Sequence, residues 1–196
     1  SHIAPASTFN GDILLSAPSP AGGLYVFLGD FTGHGLGASI GTLPIAHSFD
    51  QLASRHLSVG EIAFEFNKML ATMLPDYMFC CASIIELNPL GDSLQIWGGG
   101  LPDAYVINAD GSIKETLPSG NMPLGVEKED AKFNKGFEVR RLGEGERVIF
   151  FTDGIIEAES PEGEFFEEER LLSCFQSGTD DTIGAILEKL TNFIQD

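Results

Sequence analysis

Leu24-Tyr25-Val26-Phe27-Leu28-Gly29-Asp30-Phe31-Thr32-Gly33-His34-Gly35 is the stretch on which the reading of this chain turns. Five bulky apolar residues in a row suit a buried strand, covered on both faces. The strand runs into a carboxylate, Asp30, and then into a turn punctuated by glycines. Gly29, Gly33 and Gly35 let the backbone pass close to itself, or to an ion, in conformations closed to other residues. A carboxylate mounted at the end of a rigid strand suits a hard cation, because Mg²⁺ and Mn²⁺ prefer oxygen donors. The rest of the chain is tested by whether it brings more such carboxylates.

Composition narrows the field first. The chain has 196 residues, 43% hydrophobic and 20% charged, which fits one soluble globular domain with ample core material. Its formal net charge is −18. Nucleic acid and anionic membrane surfaces both demand Lys and Arg, so neither is an expected partner. No apolar run reaches the length of a membrane span. The three cysteines are an odd number and two of them, Cys80 and Cys81, are neighbours. That argues against a disulfide framework and for a reducing, cytoplasmic setting. No His stands at ligand spacing from them, which argues against zinc.

Outward from the opening stretch, Ser7 to Ala17 reads as a first strand interrupted by Asn10-Gly11-Asp12. The Pro/Gly/Ser-rich segment 18–23 joins it to the second strand as a hairpin, bringing Asp12 near Asp30. Leu36 to about Arg55 has helical spacing, with Leu36, Ile40, Leu43, Ala46 and Phe49 or Ala53 on one face and a kink at Pro44. Ser58-Val59-Gly60-Glu61 has the capping-box pattern of a second helix. Its stripe is Ile62, Phe66, Met69, Leu70 and Met73, and Pro75 stops it. His47 and His56 have no evident chemistry.

From Met78 the period changes to two. Phe79–Leu87, Ser93–Trp97, Asp103–Asn108 and Ser112–Leu117 read as an antiparallel meander. The Gly98–Gly100 turn is open to two readings, a bend or a backbone cradle for phosphate. Residues 127–135 read as a charged, solvated segment. Phe137–Leu142 and Arg147–Phe151 are strands again. The second ends in Phe151-Thr152-Asp153-Gly154, which repeats the opening pattern of apolar strand, Asp and Gly. Two helices follow, Glu167–Gln176 and about Thr179 to Ile194. Asp180-Asp181 at the start of the last are best explained by the helix dipole.

Asp12, Asp30 and Asp153 therefore remain as candidate ligands. Carboxylates gathered at strand ends repel one another and need cations. Two divalent ions about 4 Å apart activate water and clamp phosphate oxygens for in-line displacement. They also let an acidic protein accept a phosphorylated substrate.

Taken in order, Gly11-Asp12, Gly29-Asp30-Phe31-Thr32-Gly33-His34-Gly35 and Phe151-Thr152-Asp153-Gly154-Ile155-Ile156-Glu157-Ala158 resemble the metal-dependent protein Ser/Thr phosphatases (PPM). The resemblance is to the bacterial SpoIIE/RsbU-like branch and covers nearly the whole chain. It implies an α+β fold, a four-layer α-β-β-α sandwich of two antiparallel sheets flanked by helices. It also implies two Mn²⁺ or Mg²⁺ ions. Asp30 would bridge them, the Phe31 main-chain carbonyl would add a ligand, and Asp12 and Asp153 would each serve one ion.

The implied activity is hydrolysis of phosphoserine or phosphothreonine on an anti-sigma-factor antagonist, in signal transduction. In that branch the domain is often the output of a two-component response regulator, so an N-terminal receiver or sensor domain is an expected neighbour, and a homodimer is compatible. The expected organisation is a single domain over 1–196, excised from a longer chain.

Three positions depart from the branch. A final strand carrying a further metal-binding Asp would lie beyond Asp196. Gly99-Gly100-Leu101-Pro102 lacks the branch's loop His. Thr32 stands where some relatives place a proton-donating His, and His34, two residues on, suits either a general acid or a structural turn. These departures leave a second reading open, a phosphatase-like module that binds a partner without turnover.

Overall fold

The computed structural model describes residues 11–32, 36–175 and 182–195, with side-chain surroundings for residues 36–40 left aside. Gly33, His34, Gly35, Asp180, Asp181 and the expected strand residues before Gly11 lie outside the described residues. In chain order the elements are β1 (Asp12–Pro18), β2 (Leu24–Phe31), α1 (Leu36–Ala53), α2 (Val59–Met73), β3 (Cys80–Leu87) and β4 (Ser93–Gly99). They continue with β5 (Ala104–Ile107), β6 (Ile113–Leu117), β7 (Glu138–Arg141), β8 (Arg147–Ile149), α3 (Glu167–Phe175) and α4 (Thr182–Gln195).

Two compact units result, with every strand pairing antiparallel. The larger unit, within Ile3–Leu101 and Pro118–Gly143, holds the five-stranded sheet β1-β2-β3-β4-β7. The helix α1 packs on β1 and β2, and α2 on β3 and β4. The smaller unit, from Pro102–Leu117 and Glu144–Asp196, holds the sheet β6-β5-β8 and the pair α3 and α4. The α+β class with two antiparallel sheets and flanking helices is as expected. The single meander is not: β3 and β4 pair, β5 and β6 pair, but β4 and β5 belong to different sheets. The chain leaves the first sheet at Gly100, whose φ of +83° suits glycine, touches it again through single bridges at Asn121 and Leu124, and adds its next strand to it at β7.

In the larger unit, β2 is buried on alternate residues rather than on both faces. Tyr25, Phe27, Gly29 and Phe31 are buried under the helices, while Val26, Leu28 and Asp30 are half-buried. Phe27 meets the rings of Phe49 and Phe66 at 6.1 and 5.3 Å, which ties both helices to β2. The inward face of α1 is Gly41, Ile45, Phe49, Leu52 and Ala53, whereas Leu43 is 66% exposed and Ala46 is exposed too. Gly41 sets that rotation. A Cβ there would come within 2.5 Å of the Phe31 ring, so this turn of the helix sits directly on β2. The capping box of α2 is present, with Ile62, Phe66 and Leu70 buried, but Met73 is 60% exposed.

Residues 127–135 are not simply solvated. Phe133 stacks on Trp97 at 5.8 Å, the Trp97 indole N–H donates to the Asn134 carbonyl at 3.1 Å, and Lys135 Nζ lies 3.4 Å from the Phe64 ring centroid. Asn67, 1% exposed, fastens the same return segment: its Nδ2 donates to the Glu127 carbonyl at 2.8 Å, and its Oδ1 accepts from the Gly125 N–H at 2.9 Å. In the smaller unit a second core forms around Tyr105, Phe151, Phe166, Leu171 and Phe175.

Candidate metal centre

The turn after β1 sets everything that follows. Ser19 N–H bonds to the Gly23 carbonyl and Gly22 N–H to the Ser19 carbonyl, at 2.9 and 2.8 Å, closing a tight hairpin. The resulting register places Asp12 directly opposite Asp30, on the face that also carries the Leu14–Leu28 pair. Directly opposed side chains on adjacent strands have Cβ atoms about 5 Å apart, and like charges there destabilise the sheet. Asp30 is in turn opposite Cys81 on β3.

Gly11 brings the start of β1 against the end of β2. Its carbonyl accepts from the Phe31 N–H at 3.2 Å, and a Cβ on it would fall 2.5 Å from the Phe31 carbonyl oxygen. The Phe31 side chain turns the other way, into the core. Thr32 then clamps the exit. Its N–H donates to the Phe79 carbonyl at 3.0 Å, and its hydroxyl accepts from the Phe79 N–H at 3.1 Å. Sequence reasoning missed this part of Thr32; its signal was a β-branched hydroxyl at a strand exit, which is too common to stand out.

The neighbouring Cys80 thiol is quiet. Burial chiefly, then the charges of Cys81 and Asp30, push the Cys80 thiol well above its ordinary range. Gly98–Gly100 is explained by packing rather than by a phosphate. Cβ atoms would meet Ser119 from Gly98, the Met122 carbonyl from Gly99, and Pro123 and the Cys81 sulfur from Gly100. The loop residue Leu124 pairs with Cys80 through bonds of 2.8 and 2.9 Å.

Asp153 is carried by the smaller unit. Its strand is shorter than expected, β8 ending at Ile149, and Phe151 alone is buried ahead of the turn. The Asp153 carbonyl accepts from Glu157 N–H at 2.9 Å, so the residue opens a turn rather than closing a strand. Asp12 and Asp30 are thus brought together in one hairpin, and Asp153 stands in the other unit.

Among the described residues no three His, Cys, Asp or Glu side chains gather closely enough to cage an ion. Two carboxylates and one main-chain carbonyl at a single strand end still fit a hard divalent cation, of the kind that keeps several waters. An all-oxygen donor set of this kind suits a hard cation better than a soft one.

A family model described as Stage II sporulation protein E (SpoIIE) matches residues 20–196. The chain belongs to the SpoIIE family. Its fold is that of PP2C-type serine/threonine phosphatase domains. The SiaA-PP2C domain of Pseudomonas aeruginosa superposes with a TM-score of 0.78 at 16% identity, over 98% of this chain and 77% of that one. The PP2C phosphatase domain of SpoIIE from Bacillus subtilis, solved with a fragment of its regulatory domain, gives 0.72 at 16% identity over 95% of this chain. This SpoIIE-family chain spans 55% of that longer structure. RsbX in complex with magnesium gives 0.66 at 15% identity, over 96% of this chain and 82% of that one. A comparison with curated protein sequences returns no match. No described helix of the SpoIIE-family chain is long and apolar enough to cross a membrane.

Proposed function

We propose that this domain hydrolyses phosphoserine or phosphothreonine in a protein, with Mn²⁺ or Mg²⁺ held by Asp12, Asp30 and the Phe31 carbonyl. The observation that carries the reading is the opposed pair Asp12–Asp30, locked in register by the hairpin. Asp153 enters as a ligand on its motif alone, Phe151-Thr152-Asp153-Gly154. Divalent ions in such a site would supply a water nucleophile at neutral pH and positive charge for the phosphoryl oxygens.

The chain's own part is positional. Gly11 and Thr32 fix the two strand ends that carry the carboxylates, and the sheet keeps those carboxylates from relaxing apart. The carboxylates also offset bound cationic charge. With a net charge of −18 the protein repels a phosphoprotein unless cations intervene, so substrate binding as well as chemistry depends on the loaded site. The family supports an anti-sigma-factor antagonist as the phosphoprotein, in a signalling chain with a sensory domain.

The test is Mn²⁺-dependent dephosphorylation of a phosphoserine protein by the full natural chain. Turnover should vanish with chelator and fall at least about a hundredfold in Asp30→Asn, with the fold retained. Turnover retained in Asp30→Asn sinks the assignment. Phosphoprotein binding without turnover at any metal concentration establishes the binding module instead.

A further inference from the structure

The five-stranded sheet ends at β7, whose outer edge pairs with no strand among the described residues. An open edge is a row of main-chain donors and acceptors that templates a further strand. Register tells which groups face it. Leu142 N–H bonds to the Asp92 carbonyl at 2.8 Å, so Arg140 and Glu138, two and four residues back, also turn their main-chain groups to β4. Val139 and Arg141 turn theirs outward. The Val139 carbonyl accepts from the Arg140 guanidinium at 3.1 Å, as an outward group does.

The edge sequence is Phe137-Glu138-Val139-Arg140-Arg141. Phe137 is 40% and Val139 56% exposed, and on the opposite face Glu138 and Arg140 pair with each other at 2.5 Å. Charge blunts an edge when like meets like. This pattern is instead complementary to itself. An antiparallel copy centred on Val139 sets Val139 against Val139, Glu138 against Arg140 and Phe137 against Arg141. The two-fold axis makes each of the unlike pairings twice, an ion pair on one face and a guanidinium against an aromatic ring on the other. The Val139 carbonyl passes from a guanidinium to a main-chain N–H, and the Glu138–Arg140 pairs are remade between chains.

A chain of net charge −18 repels its copy, which confines contact to a stretch without net negative charge. Residues 137–141 carry two guanidiniums and one carboxylate, a net charge of +1. We propose that β7 pairs antiparallel with β7 of a second copy, joining the two sheets edge to edge, independently of the metal centre. A joint of about five residues a side is short for a protein interface, so association depends on concentration.

Sedimentation equilibrium of the chain from about 10 μM to 1 mM tests this. A reversible dimer is expected. Glu138→Arg sets like charges opposite each other twice and should weaken it about tenfold or more. The double exchange Glu138→Arg with Arg140→Glu restores the pairing and should bring the affinity back to within about threefold.

Val139→Pro gives a second reading should the charge variants fold poorly. Proline there deletes an N–H that faces away from β4, so the sheet is kept while the centre of the joint is lost. Circular dichroism checks the fold, and the dimer should disappear. A chain that stays monomeric to 1 mM overturns the proposal, and it is the outcome expected if the edge serves a strand of another protein. A dimer undiminished by Glu138→Arg or Val139→Pro, or not recovered by the double exchange, overturns it as well.

Discussion

Asn67→Ala gives a sharp test of how the larger unit is held together. Asn67 sits inside α2 with its side chain turned to the return segment, accepting from the Gly125 N–H and donating to the Glu127 carbonyl. Alanine removes both partners at once. The Gly125 N–H lies in a buried residue and is left without an acceptor, while Glu127 is half-buried and its carbonyl recovers water in part. An orphaned buried group costs about 1–3 kcal/mol, so the pair together costs about 2–4 kcal/mol. For a chain of this size that corresponds to a fall in Tm of about 5–15 °C.

Urea unfolding measures the loss directly, and hydrogen exchange at the Gly125 amide shows whether it is local. The control is Thr72→Ala on the exposed side of the same helix, expected within about 0.5 kcal/mol of wild type. A loss below about 0.5 kcal/mol in Asn67→Ala, with the Gly125 amide still protected, refutes the idea that this side chain fastens the segment.

Gly11→Ala puts a methyl group 2.5 Å from the Phe31 carbonyl oxygen, which is backbone and cannot step aside. It should cost about 1–3 kcal/mol in stability and weaken Mn²⁺ binding more than Asp76→Ala, an exposed carboxylate change, does; isothermal titration with metal checks this. Ser58→Ala removes one arm of the capping box and should destabilise by about 1 kcal/mol in urea unfolding. Tyr25 is pushed up to about 12, first by burial and then by the Glu86 carboxylate. The fold holds its neutral form, so that contribution to stability is complete below the ordinary tyrosine value near 10 and is lost as pH rises through 12. Tyrosinate absorbance should show a late ionisation step near pH 12, and Tyr25→Phe should delete it.

The hairpin and its opposed aspartates were legible because turn chemistry fixes register locally, and Pro18 to Gly23 spells that turn out. The α2 start was legible for the same reason, through Ser58 and Glu61. What escaped depended on distant partners. Alternation along Phe79–Leu117 marks strands but carries no information on which sheet each joins, so β4 and β5 read as neighbours. Gly98–Gly100 invited a ligand because a glycine run looks the same whether phosphate or Pro123 occupies the space. The α1 face was misjudged at Leu43 because hydrophobicity ranks leucine above glycine, whereas close approach to Phe31 selects Gly41. Phe133 and Lys135 looked solvated because their partners, Trp97 and Phe64, lie more than thirty residues earlier.

That last contact makes the protein its own instrument. Trp97 is the chain's sole tryptophan, fully buried, with its ring stacked on Phe133 and its N–H given to Asn134. Its fluorescence therefore comes from one place, the seam where residues 118–135 come back onto the sheet. Emission that reddens before far-ultraviolet circular dichroism is lost would show that seam peeling away while helices and strands persist. Without any label, the larger unit reports the docking of its own returning segment.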